Sequence, residues 1–152
     1  MSARVINGPE ELKSLVGEHL GYSPYVDITQ EQVNMFAEAT GDHQWIHVDP
    51  ERAKAGPFGG PIAHGYLTLS LGPHLYPQIV QFGGFSMGVN YGANKIRFPS
   101  PVPVGAKLRL GVKLLEVDDI AGGVQLTMEF TFECEGAAKP SCVAEIIFRQ
   151  YV

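Results

Sequence analysis

The fold of this chain depends on the segment IAHGYLTLSLGPHLYPQI, residues 62–79, whose composition predicts one apolar helix. The segment lies within a longer tract, Ala55 to Asn94, that contains no Asp, Glu, Lys or Arg. A membrane span needs about 20 unbroken apolar residues, whereas glycine and proline interrupt this tract repeatedly. We therefore expect a helix that is surrounded by protein on most sides or lies at a subunit contact, with a kink or break at Pro73.

The C-terminal half predicts the sheet that encloses this helix. Four segments are rich in Val, Ile, Leu, Phe and Thr, as β-strands are: residues 85–98, 107–117, 124–134 and 142–151. Apolar and polar residues alternate most clearly over residues 125–132, the pattern of a strand with one buried face. Helices followed by a run of antiparallel strands predict an α+β fold in which a sheet curls around one apolar helix.

Two shorter helices are predicted before the central one. Residues 9–19 form an amphipathic pattern with Leu12, Leu15 and Val16 on one face. Thr29 and Gln32 have the spacing of a capping box, so the second helix is expected to begin there and to end near Gly41. The segment that follows, residues 42–49, is predicted to be a loop or an irregular turn.

Length, charge and cysteine content restrict the function classes. The chain has 152 residues, the size of a single domain spanning residues 1–152. Its net charge of −5 makes nucleic acid an improbable partner. Cys134 and Cys142 have neither metal-site spacing nor a disulfide framework, and we expect two unpaired thiols of a reducing compartment. No signal peptide or membrane span is recognised, so a cytoplasmic location is expected.

Asp42 and His47 are the candidate catalytic residues. A carboxylate and an imidazole that reach one water molecule can serve as general base and general acid. The start of the central helix near Gly65 offers unpaired backbone N–H groups, which suit an oxygen that gains negative charge. Hydration of a 2-enoyl thioester needs these three parts. On spacing alone, a local hydrogen bond or a cap is the commoner explanation of such an Asp–His pair.

A metal site is not predicted. His43 and His47 are four residues apart, but their segment is not expected to be helical and no convincing third ligand follows it. His64 is expected to fix the start of the central helix, with a role as a third catalytic group as the alternative.

Several motifs in this chain occur together in a known family. They are FAEATGD at residues 36–42, IHVDP at 46–50, GPF at 56–58, PIAHG at 61–65 and NYGANKIRFPSPVPVG at 90–105. The first four resemble the hydratase motif of the MaoC-like dehydratases, which are hot-dog-fold (R)-specific enoyl-CoA hydratases. The last resembles the branch named after nodulation protein N. The resemblance extends from about Ile28 to Arg149.

The resemblance implies a long central helix wrapped by an antiparallel sheet, usually in a homodimer. It places the catalytic Asp on Asp42, the catalytic His on His47 and the amide that contacts the thioester oxygen on Gly65. The implied reaction converts trans-2-enoyl-CoA into (R)-3-hydroxyacyl-CoA and also runs backwards as a dehydration. The CoA thioester is then the substrate, and no cofactor is implied. The chain departs from many relatives at Gln44-Trp45 and from some at Pro73.

Five further residues are candidates for substrate contacts: Trp45, His64, Asn94, Lys95 and Arg97. Trp45 is expected either to pack or to line an acyl tunnel, and Asn94 either to pack or to face the site. Lys95 and Arg97 alternate with apolar residues and are predicted to share one sheet face. That face is either solvated or in contact with CoA phosphates.

Two other functions remain open. A hot-dog thioesterase would direct water to the thioester carbonyl instead of C3 and would release a free thiol. A non-catalytic acyl-thioester-binding subunit would need a partner chain, and the presence of both Asp42 and His47 argues against it.

Overall fold

Short helices occupy the N-terminal half of the chain and long strands the C-terminal half. The computed structural model describes residues 2–152. The strands are β1 (Arg4–Asn7), β2 (His19–Tyr22), β3 (Val26–Asp27), β4 (Val80–Gly83), β5 (Met87–Arg97), β6 (Lys107–Ile120), β7 (Gly123–Cys134) and β8 (Cys142–Tyr151). The helices are α1 (Gly8–Ser14), α2 (Gln30–Thr40), α3 (Trp45–Val48), α4 (Pro50–Lys54), α5 (Gly65–Ser70) and α6 (Gly72–Leu75), and a 3-10 turn over Tyr76–Gln78 follows α6.

Six strands form one antiparallel sheet against which the helices pack. The strand order is β2, β6, β7, β8, β5, and β3 also pairs with β6. Every second residue of β7 is buried, as expected for a strand with one face on a core. A Cβ on Gly72 of α6 would lie 3.1 Å from the ring of Phe130, so this glycine lets the helix approach the sheet closely. The predicted α+β arrangement, a sheet around an apolar helical segment, is confirmed.

The central helical segment begins later than predicted and is broken near Pro73, one of the two outcomes expected there. Ile62 is extended and forms an antiparallel bridge with Pro103, and the first helical residue is Gly65. α5 ends at Ser70, and Pro73 lies in the first turn of α6. Because proline has no N–H, it favours a helix start over a helix interior, so the break comes just before Pro73.

Only one face of this helical segment is buried. Leu67 and Leu75 are buried, whereas Tyr66 is 69% exposed and Pro73 is exposed. The expectation of protein on most sides therefore does not hold within the single chain. Its apolar surface is left partly uncovered.

The first predicted helix is too long. α1 ends at Ser14 and His19 already belongs to β2, while Val16, placed on the buried face, is 46% exposed. Gly17 explains the change, because it has a left-handed φ of +90° and donates its N–H to the carbonyl of Leu114 on β6. The chain therefore leaves the helix to join the sheet.

The second helix has the predicted ends. Thr29 accepts a hydrogen bond from the backbone N–H of Gln32, and the side chain of Gln32 accepts one from the backbone N–H of Thr29. At the other end Gly41 has a φ of +82° and donates to the carbonyl of Ala37 at 2.8 Å. The capping-box prediction is confirmed, and α2 delivers the chain to Asp42 at a defined point.

Two features were missed. Residues 42–49 are not all loop, because α3 forms one helical turn around His47. β1 and β4 form a separate two-stranded parallel sheet that ties the N-terminal segment to the chain after the 3-10 turn. Among residues 2–152, no helix is both long and apolar enough to cross a membrane.

We expect Thr29→Ala to lower the free energy of unfolding by about 1 kcal/mol, since Ala cannot accept the hydrogen bond from the N–H of Gln32. Chemical denaturation measures this loss. Thr29→Ser keeps the hydroxyl and serves as the control, with stability close to that of the unmodified protein. Equal stability of all three proteins would contradict the role of the cap.

Candidate active site

His47 is held by a short extended segment that precedes α5. Its Nδ1 donates to the carbonyl of Ile62 at 2.7 Å, and the N–H of Ile62 donates to the carbonyl of Ile46 at 3.0 Å. The main-chain carbonyl of His47 accepts from Nε2 of Gln30, the first residue of α2, at 2.8 Å. A carbonyl can only accept, so Nδ1 carries a proton and Nε2 is the nitrogen left for chemistry.

Asp42 stands just past the end of α2 with an exposed side chain. Its carboxylate accepts from the backbone N–H of Gln44 at 3.3 Å. Its main-chain carbonyl accepts from Nε2 of His64 at 2.9 Å. The carboxylate thus keeps lone pairs available for a water molecule.

His64 contacts both catalytic candidates. It is 3% exposed, and its ring stacks on that of His47 with centroids 3.9 Å apart and an interplanar angle of 24°. Phe36 packs against its ring at 4.9 Å. Burial lowers the pKa of His64 below its ordinary value, and the neighbouring His47 acts in the same direction, while the carbonyl of Asp42 opposes the shift.

Asp42, His47 and His64 form the one group that resembles a metal site among residues 2–152. One potential ligand atom of each lies within 4.8 Å of those of the other two. Nδ1 of His47 and Nε2 of His64 are engaged with main-chain carbonyls, so Nε2 of His47 and Nδ1 of His64 are the ring nitrogens that keep a lone pair. The absence of a metal ion at this site stays a prediction.

Two cavities meet at His47 and Gly65. The first, which we call the dyad cavity after Asp42 and His47, has a volume of about 380 Å³. It is lined by Phe36, Thr40, Asp42, His47, His64, Gly65 and Tyr66. The apolar cavity, of about 350 Å³, is lined by His47, Phe58, Ile62, Ala63, Gly65, Thr68, Phe98, Pro99, Ser100, Pro101, Val102 and Ser141. A ligand that reaches Gly65 thus has acid and base groups on one side and a largely apolar wall on the other.

Gly65 allows a close approach at the junction of the cavities. A Cβ at this position would lie 3.1 Å from the ring of Phe98, which is 42% exposed and packs edge to face with Tyr66. No hydrogen-bond acceptor contacts the N–H of Gly65 within residues 2–152. The amide is therefore available to an oxygen from outside the chain.

The remaining sequence candidates do not line these cavities. Trp45 packs under the guanidinium of Arg52 at 4.5 Å and against Gly56, so it belongs to the packing of α3 on α4. Asn94, Lys95 and Arg97 are exposed on β5. Trp45 therefore has packing contacts, and its contact with substrate stays a prediction.

Lys95 and Arg97 are both exposed, on either side of the half-buried Ile96, where β5 is irregular. A register shift between Asn94 and Arg97 interrupts the pairing of β5 with β8, and Lys95 has a left-handed φ of 49°. Nζ of the exposed Lys95 lies 3.8 Å from the carboxylate of the half-buried Glu145. The substrate contacts proposed for these residues stay untested.

Sequence reasoning missed several cavity residues. Thr68 follows Gly65 by three positions and therefore faces the same side of α5, a signal that was available. Phe98 directly follows β5 and Ser141 directly precedes β8, and both reach the apolar cavity only through the tertiary fold. Pro73, a noted departure from relatives, lines a different cavity of about 490 Å³ between α6 and β5.

Both cysteines are buried and free, as predicted for unpaired thiols. Burial raises the pKa of the Cys142 thiol to about 11. A thiol in that state is a poor nucleophile at neutral pH, so the cysteines are part of the core and not of the site.

Comparisons with known proteins add a family context. Residues 11–132 match the family described as MaoC like domain. The 3-hydroxyacyl-thioester dehydratase Z of Mycobacterium tuberculosis is 54% identical over 147 residues, which cover 96% of this chain and 97% of that protein. Nodulation protein N of Rhizobium meliloti is 41% identical over 145 residues, 90% of this chain and 87% of that protein.

Solved structures share the fold at lower identity. The R-hydratase PhaJ1 of Pseudomonas aeruginosa matches with a TM-score of 0.73 and 23% identity over 90% of this chain and 81% of its own. A monoamine oxidase regulatory protein of Archaeoglobus fulgidus matches with a TM-score of 0.79 and 21% identity over 100% and 99% of the two chains. A 3R-hydroxyacyl-ACP dehydratase solved as the HadBC complex of Mycobacterium tuberculosis matches with a TM-score of 0.62 and 19% identity, over 88% of this chain and 96% of its own. The predicted hot-dog fold is confirmed.

We expect the burial of His64 to make stability depend on pH. Because the folded-state pKa of His64 lies below the ordinary value of 6.5, the unfolded chain takes up this proton first as the pH falls. The free energy of unfolding therefore decreases between about pH 6.5 and the lowered pKa. Denaturation curves at several pH values should show a steeper loss for the unmodified protein than for His64→Gln. Parallel pH profiles for the two proteins would contradict this assignment.

Proposed function

Because this chain belongs to the MaoC-like dehydratase family, with the nodulation protein N branch among its relatives, we propose that it is a hydro-lyase acting on acyl thioesters. The reaction that fits best adds water to trans-2-enoyl-CoA and gives (R)-3-hydroxyacyl-CoA, reversibly. The observation that carries the proposal is that Asp42, His47 and Gly65 line one cavity. The (R) configuration rests on the family resemblance, and the name of a structural neighbour supports it.

One water molecule between Asp42 and His47 would supply both the hydroxyl group and, over a full turnover, the proton. The carboxylate of Asp42 accepts a proton from the water molecule while the oxygen of that water bonds to C3. His47 delivers a proton to C2 from Nε2. Both groups reach the substrate from the dyad cavity, so oxygen and hydrogen add to the same side of the double bond.

The hydrogen bonds of His47 set a condition on this scheme. Since Nδ1–H is already donated to Ile62, delivery of a proton from Nε2 requires the imidazolium form before the reaction. After C2 is protonated, Asp42 is a carboxylic acid and His47 is neutral. Return of that proton from Asp42 to His47 restores the starting state, and atoms and charges balance over the cycle.

The N–H of Gly65 would stabilise the negative charge that develops on the thioester oxygen. When hydroxide adds to C3, negative charge moves to the thioester oxygen, and the free N–H of Gly65 is placed to donate to it. The apolar cavity begins at the same residue, so an apolar part of the substrate can extend there. No cofactor is required, because the CoA thioester is the substrate.

The function is tested with crotonyl-CoA and purified protein. We expect loss of the conjugated enoyl absorbance without release of free thiol, and a product that an (S)-specific 3-hydroxyacyl-CoA dehydrogenase does not oxidise. Thiol release without hydration would establish a thioesterase instead. Ready oxidation of the product would overturn the (R) assignment alone.

Replacement of either catalytic residue should remove most of the activity. Asp42→Asn and His47→Gln each keep a polar group of similar size but cannot exchange a proton as required. Each is expected to lower kcat at least about a hundredfold with a smaller effect on KM. The double variant should be scarcely worse than the poorer single variant, because both residues act on one water molecule.

The controls for this measurement are close in sequence and chemistry. Asp49→Asn changes an exposed carboxylate that caps α4, and an Asn oxygen can still accept from Arg52. His43→Gln changes an exposed imidazole paired with Glu38. Both should keep nearly full activity. If the losses in kcat of the two single variants multiply in the double variant, the two residues have independent roles. A His47→Gln variant with nearly normal kcat would exclude His47 from the reaction.

We also propose that two copies of this chain associate through β5. Within residues 2–152 this strand lies at the edge of the sheet and pairs with β8 alone, and it exposes Met87, Val89 and Tyr91 at 56%, 38% and 57%. Free edge strands with apolar side chains tend to pair with another strand. A second copy supplies an identical edge, so two sheets can join about a two-fold axis.

Sedimentation at micromolar concentration is expected to give the mass of two chains. Val89→Lys should shift the protein towards one chain, because a two-fold contact brings the two introduced charges together. Val5→Lys, on β1 and 49% exposed, is the matched control and should leave the mass unchanged. A single-chain mass for the unmodified protein would overturn the assembly.

The free thiols favour a reducing compartment, and we propose the cytoplasm.

A further inference from the structure

Asp42 has few contacts that hold it in place. Its carboxylate hydrogen bonds to Gln44, two residues away, so this contact moves together with the loop. The bond from Nε2 of His64 to its carbonyl, by contrast, joins it to a residue 22 positions later, at the start of α5. Within residues 2–152, this is the hydrogen bond that connects Asp42 to the central helical segment.

His64 itself has little freedom. Its ring packs against that of Phe36 of α2, with centroids 4.9 Å apart, stacks on that of His47 at 3.9 Å, and is 3% exposed. Burial and these two ring contacts restrict the directions in which its N–H can point. One side chain therefore contacts the main chain of Asp42 and the imidazole of His47 at the same time.

The choice of histidine at this position has a cost in stability. Nδ1 of His64 is buried and has no hydrogen-bond partner within residues 2–152. A buried polar atom left unpaired lowers stability, and a Phe or Leu would bring no such atom to this position. The donor on the other nitrogen is the feature that such residues lack.

We propose that His64 is a positioning residue, whose Nε2–H holds the carbonyl of Asp42 and so keeps the Asp42 carboxylate beside His47. The inference rests on the proposed roles of Asp42 and His47. His64 acts through Asp42 and exchanges no proton with the substrate. Misplacement of a reacting group by about 1 Å can cost about a hundredfold in rate, so a lost tether has a measurable effect.

Two substitutions separate the donor from the ring. His64→Phe keeps a flat ring against His47 and Phe36 but removes the donor. His64→Gln removes the ring but places an amide N–H the same number of bonds from Cβ as Nε2. We expect kcat for crotonyl-CoA hydration to fall at least about tenfold in the Phe variant, with KM within about threefold, and to stay within about threefold in the Gln variant.

Several results would overturn the proposal. They are a Phe variant with normal kcat, a Gln variant as slow as the Phe variant, or a kcat–pH profile of the Phe variant that has lost one limb. The last would mean that His64 itself exchanges a proton. If the Phe variant does not fold, His64→Asn replaces it, because its amide is one methylene too short to reach the Asp42 carbonyl. His74→Phe, at an exposed position of α6, is the matched control with unchanged activity.

Two further measurements separate this inference from the proposed function. In an Asp42→Asn background, His64→Phe should add little to the loss, because its effect passes through Asp42. Amide hydrogen exchange of residues 42–44 should be faster in His64→Phe than in His64→Gln, whatever reaction the protein catalyses. Absence of turnover in the unmodified protein would refute the proposed function, whereas equal exchange in the two variants would refute the tether.

Discussion

The extended segment Pro61–Ala63 is the constraint on which the rest of the site depends. The N–H of Ile62 donates to Ile46 and its carbonyl accepts from the ring of His47. On the other side, Ala63 donates to Val102 and the carbonyl of Pro61 accepts from Val104. A segment of three residues thus joins the turn that carries His47 to the loop between β5 and β6. A helix at these positions would use its backbone groups internally, so the late start of α5 at Gly65 is a requirement of the site.

The same arrangement explains why a short helical turn can carry a catalytic side chain. α3 has four residues and no side-chain cap, too little to be stable alone. Its position comes from outside, through Gln30 of α2 and Ile62 before α5. The precision of the site is therefore a property of three elements that meet, and a change in any one of them reaches His47.

The elements of the chain differ in how much of their surface is buried. The inner faces of β7 and β8 are buried, whereas β5 and the outer side of α5 and α6 remain open and apolar. Two register shifts bend β5, and bulges of this kind are common at sheet edges. The charge-free tract between Ala55 and Asn94 covers this open region together with the central helical segment. Its composition is thus consistent with burial that a single chain does not complete.

The sequence by itself determined the features that depend on local contacts. The capping box at Thr29 and the left-handed Gly41 involve neighbours within a few residues, and β7 and β8 follow from side-chain alternation. The motif resemblance named Asp42, His47 and Gly65, which the fold brings to one cavity. Tertiary structure decided what depends on distant partners. Gly17 turns because it bonds to Leu114, Ile62 stays extended because it bonds to Ile46, and His64 meets Asp42 across 22 residues of chain. No local pattern encodes these contacts, because each is formed only after both partners have been placed by the fold.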